Sequence, residues 1–477
     1  MPVFQNIIQG QRVASPTSFD SKSPSTDEVL GQVPFSTAEQ VQQAVAAAKA
    51  AQPAWAALPD AQRKAAMLKV ADVIHAHAEE LAVWVAKEQG KPLGGVGPDQ
   101  VPGARFEIFA CEAWTRVVAS LDLPVEVAFE DETRRDEVYR RPYGVIAAIT
   151  PWNWPLMIAI WQIIPALRAG NTVVLKPSEY TSIASLEMAA LIAGVLPPGV
   201  LNTVSGGGEV GGRLVQDPAV NKILFTGSGP TGARIAAAAA ANLTPVTLEL
   251  GGNDAAIVLP DADPKAMAMG LFWGAFINMG QTCAAAKRVY VHDSLHDAVV
   301  AELKALAVAM PMGDPLAEGT VMGPIQNRMQ YDKVLKLVER TKADGQGTFV
   351  CGGQSVAGPG NFYPLTLVTG LQDGAPLVDE EQFGPVLPIL RYSDVEDAIA
   401  SANRLDLGLG ASVWGSDVAQ AKAVAARLEA GTVWINQHGA VHPMVPFGGV
   451  KRSGWGVEFG VEGLKSVTTP RVISVKK

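Results

Sequence analysis

The stretch "GVIAAITPWNWPLMIAIWQIIPALRAGNTVVLKPS" at residues 144–178 decides the fold. Its first part, "GVIAAIT", is a short apolar run typical of a buried strand, and "NTVVLKPS" at its end is a second such run. Between them, "PLMIAIWQIIPALRAG" has the length and composition of a core helix that ends at Gly170. A strand, a helix and a second strand in this order predict a parallel pair joined by a crossover helix.

The same stretch imitates a membrane span. The run from Val145 to Leu167 carries no charge and is long enough to cross a bilayer. Pro151, Pro155 and Pro165 interrupt it, and its amide side chains would lack partners in lipid. We therefore interpret it as strand, turn and core helix, and expect no membrane partner.

Strands and helices alternate outward from this unit. A helix is predicted at 182–194, followed by strands in "VLNTVSG", "NKILFTGS" and "TPVTLELGG" and by a helix in "PTGARIAAAAAA". Residues 253–450 repeat the alternation, and helices are predicted upstream at 38–56 and 61–89. Such alternation predicts open, mostly parallel sheets, so the fold class is α/β with two open α/β domains. The charged segment 119–141 alternates apolar and polar residues and predicts a projecting hairpin.

Composition excludes several classes of function. The 477 residues carry a net charge of −9 without a basic cluster, which argues against nucleic acid as a partner. The three cysteines are far apart and form no metal-binding spacing, which predicts free thiols in a reducing compartment. We see no signal peptide at the N-terminus, and we therefore predict a cytoplasmic protein that holds no metal.

A glycine-rich turn follows one predicted strand. In "FTGSGPTG" at 225–232, Gly227, Gly229 and Gly232 match the dinucleotide-binding pattern GxGxxG, which brings backbone amides close to a pyrophosphate. Glycine turns between strand and helix are common, so the match alone is weak. The pattern also expects an acid about 20 residues on, where Glu249 lies, and that assignment stays open here.

Two further polar groups follow strands. Lys176 and Glu179 in "VVLKPSE" lie just past a strand end, where ligands bind in open α/β sheets, and could hold a ribose. A surface ion pair is the alternative. Asn153 in "TPWNWP" is held between two prolines, and a rigid amide suits an oxyanion site. Its alternative role is to satisfy a buried turn.

Cys283 in "GQTCAAAKR" at 280–288 is the candidate nucleophile. A reactive cysteine needs a base or a nearby positive charge to form its thiolate. No histidine lies within eight residues of it, and we interpret all six histidines as non-catalytic because triad and metal spacings are absent. This argues against a cysteine–histidine protease. Glu249, in the uncharged run "LELGG", fits a general base of altered pKa.

Together these runs resemble the aldehyde dehydrogenase superfamily. The matching segments are "TPWNWP", "KPSE", "FTGS", "LELGG", "GQTC", "EEQFGPV" at 380–386 and "PFGGVKRSG" at 446–454, in the family's order. The resemblance covers essentially the whole chain. A departure is "GGND" in place of the commoner "GGKS".

The resemblance implies a role for each matching residue. Cys283 would attack the aldehyde, Asn153 and the Cys283 amide would hold the oxyanion, and Glu249 would activate the water that hydrolyses the thioester. This replaces the ribose role of Glu249 considered above. NAD, with NADP possible, would be held by Trp152, Lys176, Glu179, Gly227, Ser228, Gln330, Glu381 and Phe383.

The family likeness also implies a domain organisation. Residues 1–118 and 142–251 would form a Rossmann-like NAD-binding domain, and residues 252–452 a catalytic domain. Residues 119–141 and 453–477 would form a small β oligomerisation element. Homodimers or homotetramers are therefore expected.

The family resemblance also implies which residues line the substrate entrance, and the expected substrate class follows from them. Its residues are Trp154, Ile158, Trp161, Phe276, Thr282 and the loop 437–445, which contain no Arg or Lys. A substrate carboxylate would need a cation there, so we predict uncharged aliphatic or aromatic aldehydes. A quaternary ammonium could use the Trp faces and stays open. The alternative functions are a CoA-acylating relative, which Glu249 disfavours, and a non-catalytic structural relative.

Overall fold

The strand–helix–strand unit predicted at residues 144–178 is present in the computed structural model, which describes residues 1–95 and 102–477. Val145–Ile149 and Thr172–Lys176 are adjacent parallel strands that are fully buried, and helix Pro155–Arg168 connects them. Pro155 lies in the first turn of that helix, where its missing N–H costs no hydrogen bond. The uncharged run is thus buried between the sheet and its covering helices.

The strands are numbered in chain order. They are β1 Asn6–Ile8, β2 Gln11–Val13, β3 Thr17–Lys22, β4 Val29–Phe35, β5 Glu126–Glu130, β6 Arg134–Pro142, β7 Val145–Ile149, β8 Thr172–Lys176, β9 Leu201–Thr203, β10 Lys222–Thr226, β11 Val246–Glu249, β12 Asp254–Val258, β13 Ala286–His292, β14 Thr348–Cys351, β15 Thr366–Thr369, β16 Val386–Tyr392, β17 Leu407–Gly408, β18 Gly410–Trp414, β19 Thr432–Ile435, β20 Val450–Lys451, β21 Gly454–Trp455 and β22 Thr468–Lys476.

The helices are numbered in the same way. They are α1 Ala38–Ala56, α2 Asp60–Ala76, α3 Ala78–Gln89, α4 Ala104–Ser120, α5 Pro155–Arg168, α6 Ser182–Val195, α7 Gly208–Gln216, α8 Gly229–Ala240, α9 Pro264–Phe276, α10 His296–Ala309, α11 Arg328–Ala343, α12 Pro376–Asp379, α13 Val395–Asn403, α14 Val418–Ala425 and α15 Gly460–Ser466, with a short 3-10 turn at Ile277–Gly280.

The first sheet has the strand order β2-β1-β9-β8-β7-β10-β11-β21. From β9 to β11 the strands are parallel, and the chain runs outward in opposite directions from β7 and β10. This places a topological switch point between β7 and β10, where open α/β sheets bind ligands beyond the carboxyl ends of their strands. The turns after these two strands are "TPWNWP" and "TGSG".

The second sheet has the order β14-β15-β16-β13-β12-β18-β19 and is parallel from β15 to β19. Cys283 lies directly before its strand β13. The two sheets confirm the predicted α/β class. The hairpin predicted in 119–141 is also present as β5 and β6, and β22 joins it in a three-stranded antiparallel sheet.

One helix prediction is wrong. The segment 61–89 was expected to be one continuous helix, but α2 ends at Ala76 and α3 begins at Ala78, with His77 in a non-helical conformation (φ −111°, ψ 19°). The backbone of His77 closes the last turn of α2 and accepts from Leu81 in the first turn of α3. The break lets the two helices pack in different directions against α4 and α6.

Candidate active site

A strained turn precedes Cys283. After α9, Asn278 and Met279 have left-handed backbone conformations (φ 52° and 59°), which are uncommon for residues with a side chain. Gly280 also has a positive φ, and a Cβ there would come within 2.3 Å of the Gly384 carbonyl oxygen. The tight turn fixes where the chain re-enters the site, so the position of Cys283 is set by local geometry.

Cys283 lies where two cavities meet. One, of about 180 Å³, is lined by the turns that follow β7 and β10, and the other, of about 660 Å³, is lined mainly by α4, α5 and the loop 437–443. Cys283 lines both. Its sulfur can therefore contact one molecule from each side.

The smaller cavity brings together most of the predicted cofactor residues. The side chain of Gln330 donates to the backbone carbonyls of Gln382 (2.8 Å) and Phe383 (3.0 Å), which holds this segment in place. The ring of Trp152 packs edge-on against Phe383, with 5.4 Å between centroids. The predicted residues that line this cavity are Trp152, Asn153, Gly227, Ser228, Cys283, Gln330, Glu381 and Phe383.

A cleft of about 650 Å³ continues from this cavity along the first sheet and is lined by Lys176 and Glu179. The Lys176 ammonium lies 3.5 Å from the Glu179 carboxylate. Burial lowers the pKa of Lys176, and the charge of Glu179 opposes this effect. Added Cβ atoms at Gly208 and Gly212, which also line the cleft, would meet no neighbouring atom. These glycines keep the cleft open for an extended ligand.

Asn153 is held rigidly next to the cysteine. Its side-chain amide is buried and donates to the Gln281 carbonyl (2.9 Å), two residues before Cys283. Its backbone carbonyl accepts from the side chains of Lys91 (2.6 Å) and Asn278 (2.8 Å). Among the described residues the amide donates only this one bond, so its second N–H is available to a ligand.

A buried ion pair anchors this turn, and no sequence motif marks it. The Lys91 ammonium lies 2.6 Å from the Glu107 carboxylate, and both side chains are almost fully buried. Burial lowers the pKa of Lys91 to about 8. Glu107 also accepts from the backbone N–H groups of Leu156 (2.9 Å) and Met157 (3.1 Å) at the start of α5. The pair thus joins α4 to the turn that carries Asn153.

Glu249 ends strand β11 in a dry environment. Neither of its carboxylate oxygens has a hydrogen-bond partner among the described residues. Burial raises its pKa well above the ordinary value, and the charge of Glu458 raises it further. Burial also raises the pKa of Glu458 to about 7. Glu249 does not line the cleft of Lys176, so the ribose role considered for it does not fit this geometry.

The pKa of the Cys283 thiol is raised to about 12, first by burial and next by the charge of Glu249. Lys287 lowers it. The pKa of Glu249 is itself raised. While the Glu249 carboxyl is protonated it carries no charge and does not oppose the Cys283 thiolate. Lys287 lies four residues after Cys283 in the sequence, but the sequence does not show that its side chain is buried.

The larger cavity is apolar. Of the predicted substrate residues, Trp154, Ile158, Trp161 and Thr282 line it, as does the loop from Gln437 to Pro443. Among the described residues, no Asp, Glu, Lys or Arg lines it. Phe276 was expected here but does not line the cavity, because its ring packs against Phe272 in the core of the second sheet (5.2 Å between centroids). Trp273 lines the cavity instead.

Within residues 1–95 and 102–477, no cluster of three or more His, Cys, Asp or Glu side chains could hold a metal ion. The same residues contain no helix with the length and apolar character needed to span a bilayer. His438 does line the large cavity, but its ring contacts Ser412 (2.8 Å) and faces buried Asp254 (3.6 Å).

Comparison with known proteins gives consistent matches. The sequence profile of the aldehyde dehydrogenase family matches residues 12–473. The chain is 38% identical to a phenylacetaldehyde dehydrogenase of Pseudomonas fluorescens, over 99% of this chain and 95% of that one. It is 39% identical to a betaine aldehyde dehydrogenase of Cereibacter sphaeroides, over 95% and 92%. The NAD+ complex of a Bacillus cereus aldehyde dehydrogenase matches with a TM-score of 0.95 and 34% identity, over 100% and 97% of the two chains.

Proposed function

The chain belongs to the aldehyde dehydrogenase family, and from this premise we propose that it oxidises uncharged aliphatic or aromatic aldehydes to carboxylic acids with NAD as its cofactor. The observation that carries the proposal is the position of Cys283 between two cavities, one apolar and one lined by the predicted cofactor residues. A sulfur that meets substrate on one side and cofactor on the other suits covalent catalysis.

The Cys283 thiolate attacks the carbonyl carbon of an aldehyde bound in the larger cavity. The oxygen becomes negatively charged in this step, and the second N–H of the Asn153 amide stabilises it together with the Cys283 backbone N–H. The bond from Asn153 to Gln281 and the Lys91 contact hold the amide in place before substrate arrives. Little reorganisation is then needed when the charge forms.

The small cavity and its cleft fit a dinucleotide. Lys176 and Glu179 would contact the adenosine ribose, Ser228 at the start of α8 the pyrophosphate, and Glu381 with Phe383 the nicotinamide end. A bound nicotinamide would supply the hydride acceptor that turns the thiohemiacetal on Cys283 into a thioester. The Glu179 carboxylate would repel a 2′-phosphate, which supports NAD over NADP.

Glu249 completes the cycle as the general base. Its raised pKa makes it a stronger proton acceptor than an ordinary carboxylate once it is ionised. It takes a proton from water, the hydroxide attacks the thioester carbon, and the acid leaves as Cys283 is released. A carboxylate with a raised pKa whose charge acts on Cys283 supports hydrolysis over transfer of the acyl group to CoA. It also argues against a purely structural relative.

The apolar cavity supports the substrate class. Trp154, Trp161 and Trp273 line it, and each buried methylene of a substrate contributes about 0.8 kcal/mol. A carboxylate-bearing aldehyde would be desolvated there without a cation to offset the cost. The likeness to the phenylacetaldehyde enzyme agrees with this class, and that to the betaine aldehyde enzyme makes a quaternary ammonium substrate the main alternative. The separate thiols support a reducing compartment, and we propose the cytoplasm.

The test is an aldehyde panel read by absorbance of the reduced cofactor. Hexanal and benzaldehyde are compared with succinic semialdehyde and betaine aldehyde, each with NAD and with NADP. We expect kcat/KM to rise with apolar size and to be higher with NAD. A clear preference for either charged aldehyde would mean that the substrate class is wrong.

The nucleophile is tested in the same assay. Cys283→Ala should abolish aldehyde oxidation while cofactor binding, followed by fluorescence, stays close to that of the wild type. Cys351→Ala is the matched control, because that thiol lies outside both cavities and should not affect turnover. Turnover in purified Cys283→Ala protein would contradict the assignment.

A further inference from the structure

The surroundings of Cys283 oppose a thiolate. Three carboxylates face it: Glu249 at the end of β11, Asp254 at the start of β12, and Glu381, and the charge of each raises the pKa of the thiol. Among the described residues that act on its pKa, Lys287 on β13 is the cation that lowers it. In the same part of the chain, no histidine contacts the sulfur. Lys287 is therefore the side-chain charge placed to stabilise a Cys283 thiolate.

Lys287 is placed for that task. Its side chain is only 1% exposed, although lysine is almost never fully buried without a partner. The ammonium donates to the carbonyl of Thr282, the residue directly before Cys283. It also lies 5.5 Å from the centre of the Phe383 ring, on the cofactor side of the site. The buried Lys287 ammonium therefore holds in place the backbone directly before Cys283.

We propose that Lys287 is the positioning residue of the nucleophile. Its hydrogen bond fixes the Thr282 carbonyl and so orients the Cys283 backbone N–H toward the oxyanion. Its charge stabilises the Cys283 thiolate through the protein interior, where a charge acts more strongly than in water. The inference rests on the proposed role of Cys283 as the nucleophile.

The charges that face Lys287 explain how the ammonium is retained. Glu381 and Asp254 favour the charged form, and a Cys283 thiolate does too. Burial and the nearby Lys333 disfavour it, so the pKa of Lys287 is lowered. Thiolate and ammonium therefore stabilise each other, and the benefit is lost when Lys287 loses its proton at high pH.

The experiment measures the thiolate directly, without aldehyde or cofactor. Cofactor-free protein is treated with iodoacetamide from pH 6 to pH 10, and alkylation of the Cys283 peptide is followed by mass spectrometry. Lys287→Gln can still donate to the Thr282 carbonyl but carries no charge. Because the pKa of Cys283 is raised to about 12, above the tested range, the alkylation rate is compared at each pH, and we expect this variant to react about tenfold more slowly than the wild type.

Two further variants separate charge from packing. Lys287→Arg keeps the charge and should restore most of the wild-type profile. Lys222→Met removes another buried lysine, at the start of β10, and should leave the profile unchanged. Lys287→Met is a second uncharged variant, in case the glutamine form does not fold, and folding is checked by circular dichroism.

An unchanged alkylation rate in a folded, uncharged Lys287 variant would overturn the inference, as would an equal loss of rate in Lys287→Arg. The two proposals can fail separately. If Cys283→Ala retains dehydrogenase turnover, the proposed function fails whatever the alkylation shows. If Cys283→Ala is inactive but the alkylation rate of the Lys287 variants is unchanged, only the role of Lys287 fails.

Discussion

Glu249 and Cys283 are two acids whose environments favour the protonated form. Glu249 is buried and Cys283 is half-buried, and loss of solvation is the largest cause of the raised pKa of each. A buried carboxyl without hydrogen-bond partners is costly to stability, because removing it from water is not compensated. Such a cost is retained at sites where the group acts on a ligand, which is why Glu249 fits the base better than a structural role.

Glu249→Gln separates the two halves of the reaction. The amide cannot take a proton from water, so deacylation should fall by a factor on the order of 10² to 10⁴. Thioester formation at high pH does not need this base and should persist. Single-turnover mixing should therefore give a burst of NADH, equal to the active sites, followed by a stall. Loss of the burst itself would mean that Glu249 acts earlier.

The pH dependence of deacylation follows from the direction of the pKa shift. Only ionised Glu249 accepts a proton, and its pKa is raised, so the rate should climb with pH above the range of an ordinary glutamate. Glu458 adds to the shift through its charge. Glu458→Gln should therefore move the rising limb to lower pH, although burial keeps most of the shift. Glu462→Gln, at the exposed Glu462, is the control and should leave the limb in place.

Individual residues were predictable where a motif carries them. Cys283, Asn153 and Glu249 stand in short runs whose order is itself informative. No motif marks Lys287 or Lys91, because their roles depend on burial and on contacts that form only in the folded chain. Lys287 contacts the Thr282 carbonyl, and Lys91 contacts the distant Glu107. The prediction that Phe276 lines the substrate entrance was wrong, because a helical residue beside the site can face the core rather than the cavity.

At the level of elements, α4 is the largest feature that the sequence did not indicate. In the sequence, it follows a segment rich in Gly and Pro and precedes the charged hairpin. Its buried residues include Cys111 and Trp114, and it supplies Glu107 to the start of α5. The break at His77 was missed because neither glycine nor proline marks it. The strand–helix alternation in the sequence predicts the sheets and the helices that cover them. Contacts between helices determine where the remaining helices begin and end.

The Glu107–Lys91 pair connects α4 to the turn that carries Asn153, so it can be tested through stability. Glu107→Gln leaves the buried Lys91 ammonium unpaired, which should cost about 3–5 kcal/mol of unfolding free energy. Glu112→Gln is the control on the same helix. Its partners His75 and Arg116 lie in a partly exposed ion pair, so it should cost about 1 kcal/mol or less. Denaturant unfolding measures both, and equal costs would contradict the anchoring role.

On the scale of the whole molecule, the three-stranded sheet of β5, β6 and β22 leaves apolar side chains in solvent. Most residues of β22 are exposed, and β22 forms an open edge. Exposed edges invite pairing with another chain, and contiguous apolar surface marks an interface. The exposed apolar residues here are Val125, Val127, Phe129, Val472, Ile473 and Val475. Composition alone does not predict this arrangement, which was expected only from the family likeness, because the C-terminal strand joins a hairpin more than 300 residues earlier.

We predict that this sheet pairs copies of the chain into the dimer or tetramer that the family likeness implies. Replacing Val472 and Val475 with lysine places charges on that edge, where burying them in an interface would be costly. Light scattering after size exclusion should show a lower mass, falling further on dilution. Val308→Lys is the control, because Val308 is 68% exposed on α10, outside the three-stranded sheet. An unchanged mass in the β22 variant would mean that another surface holds the assembly together.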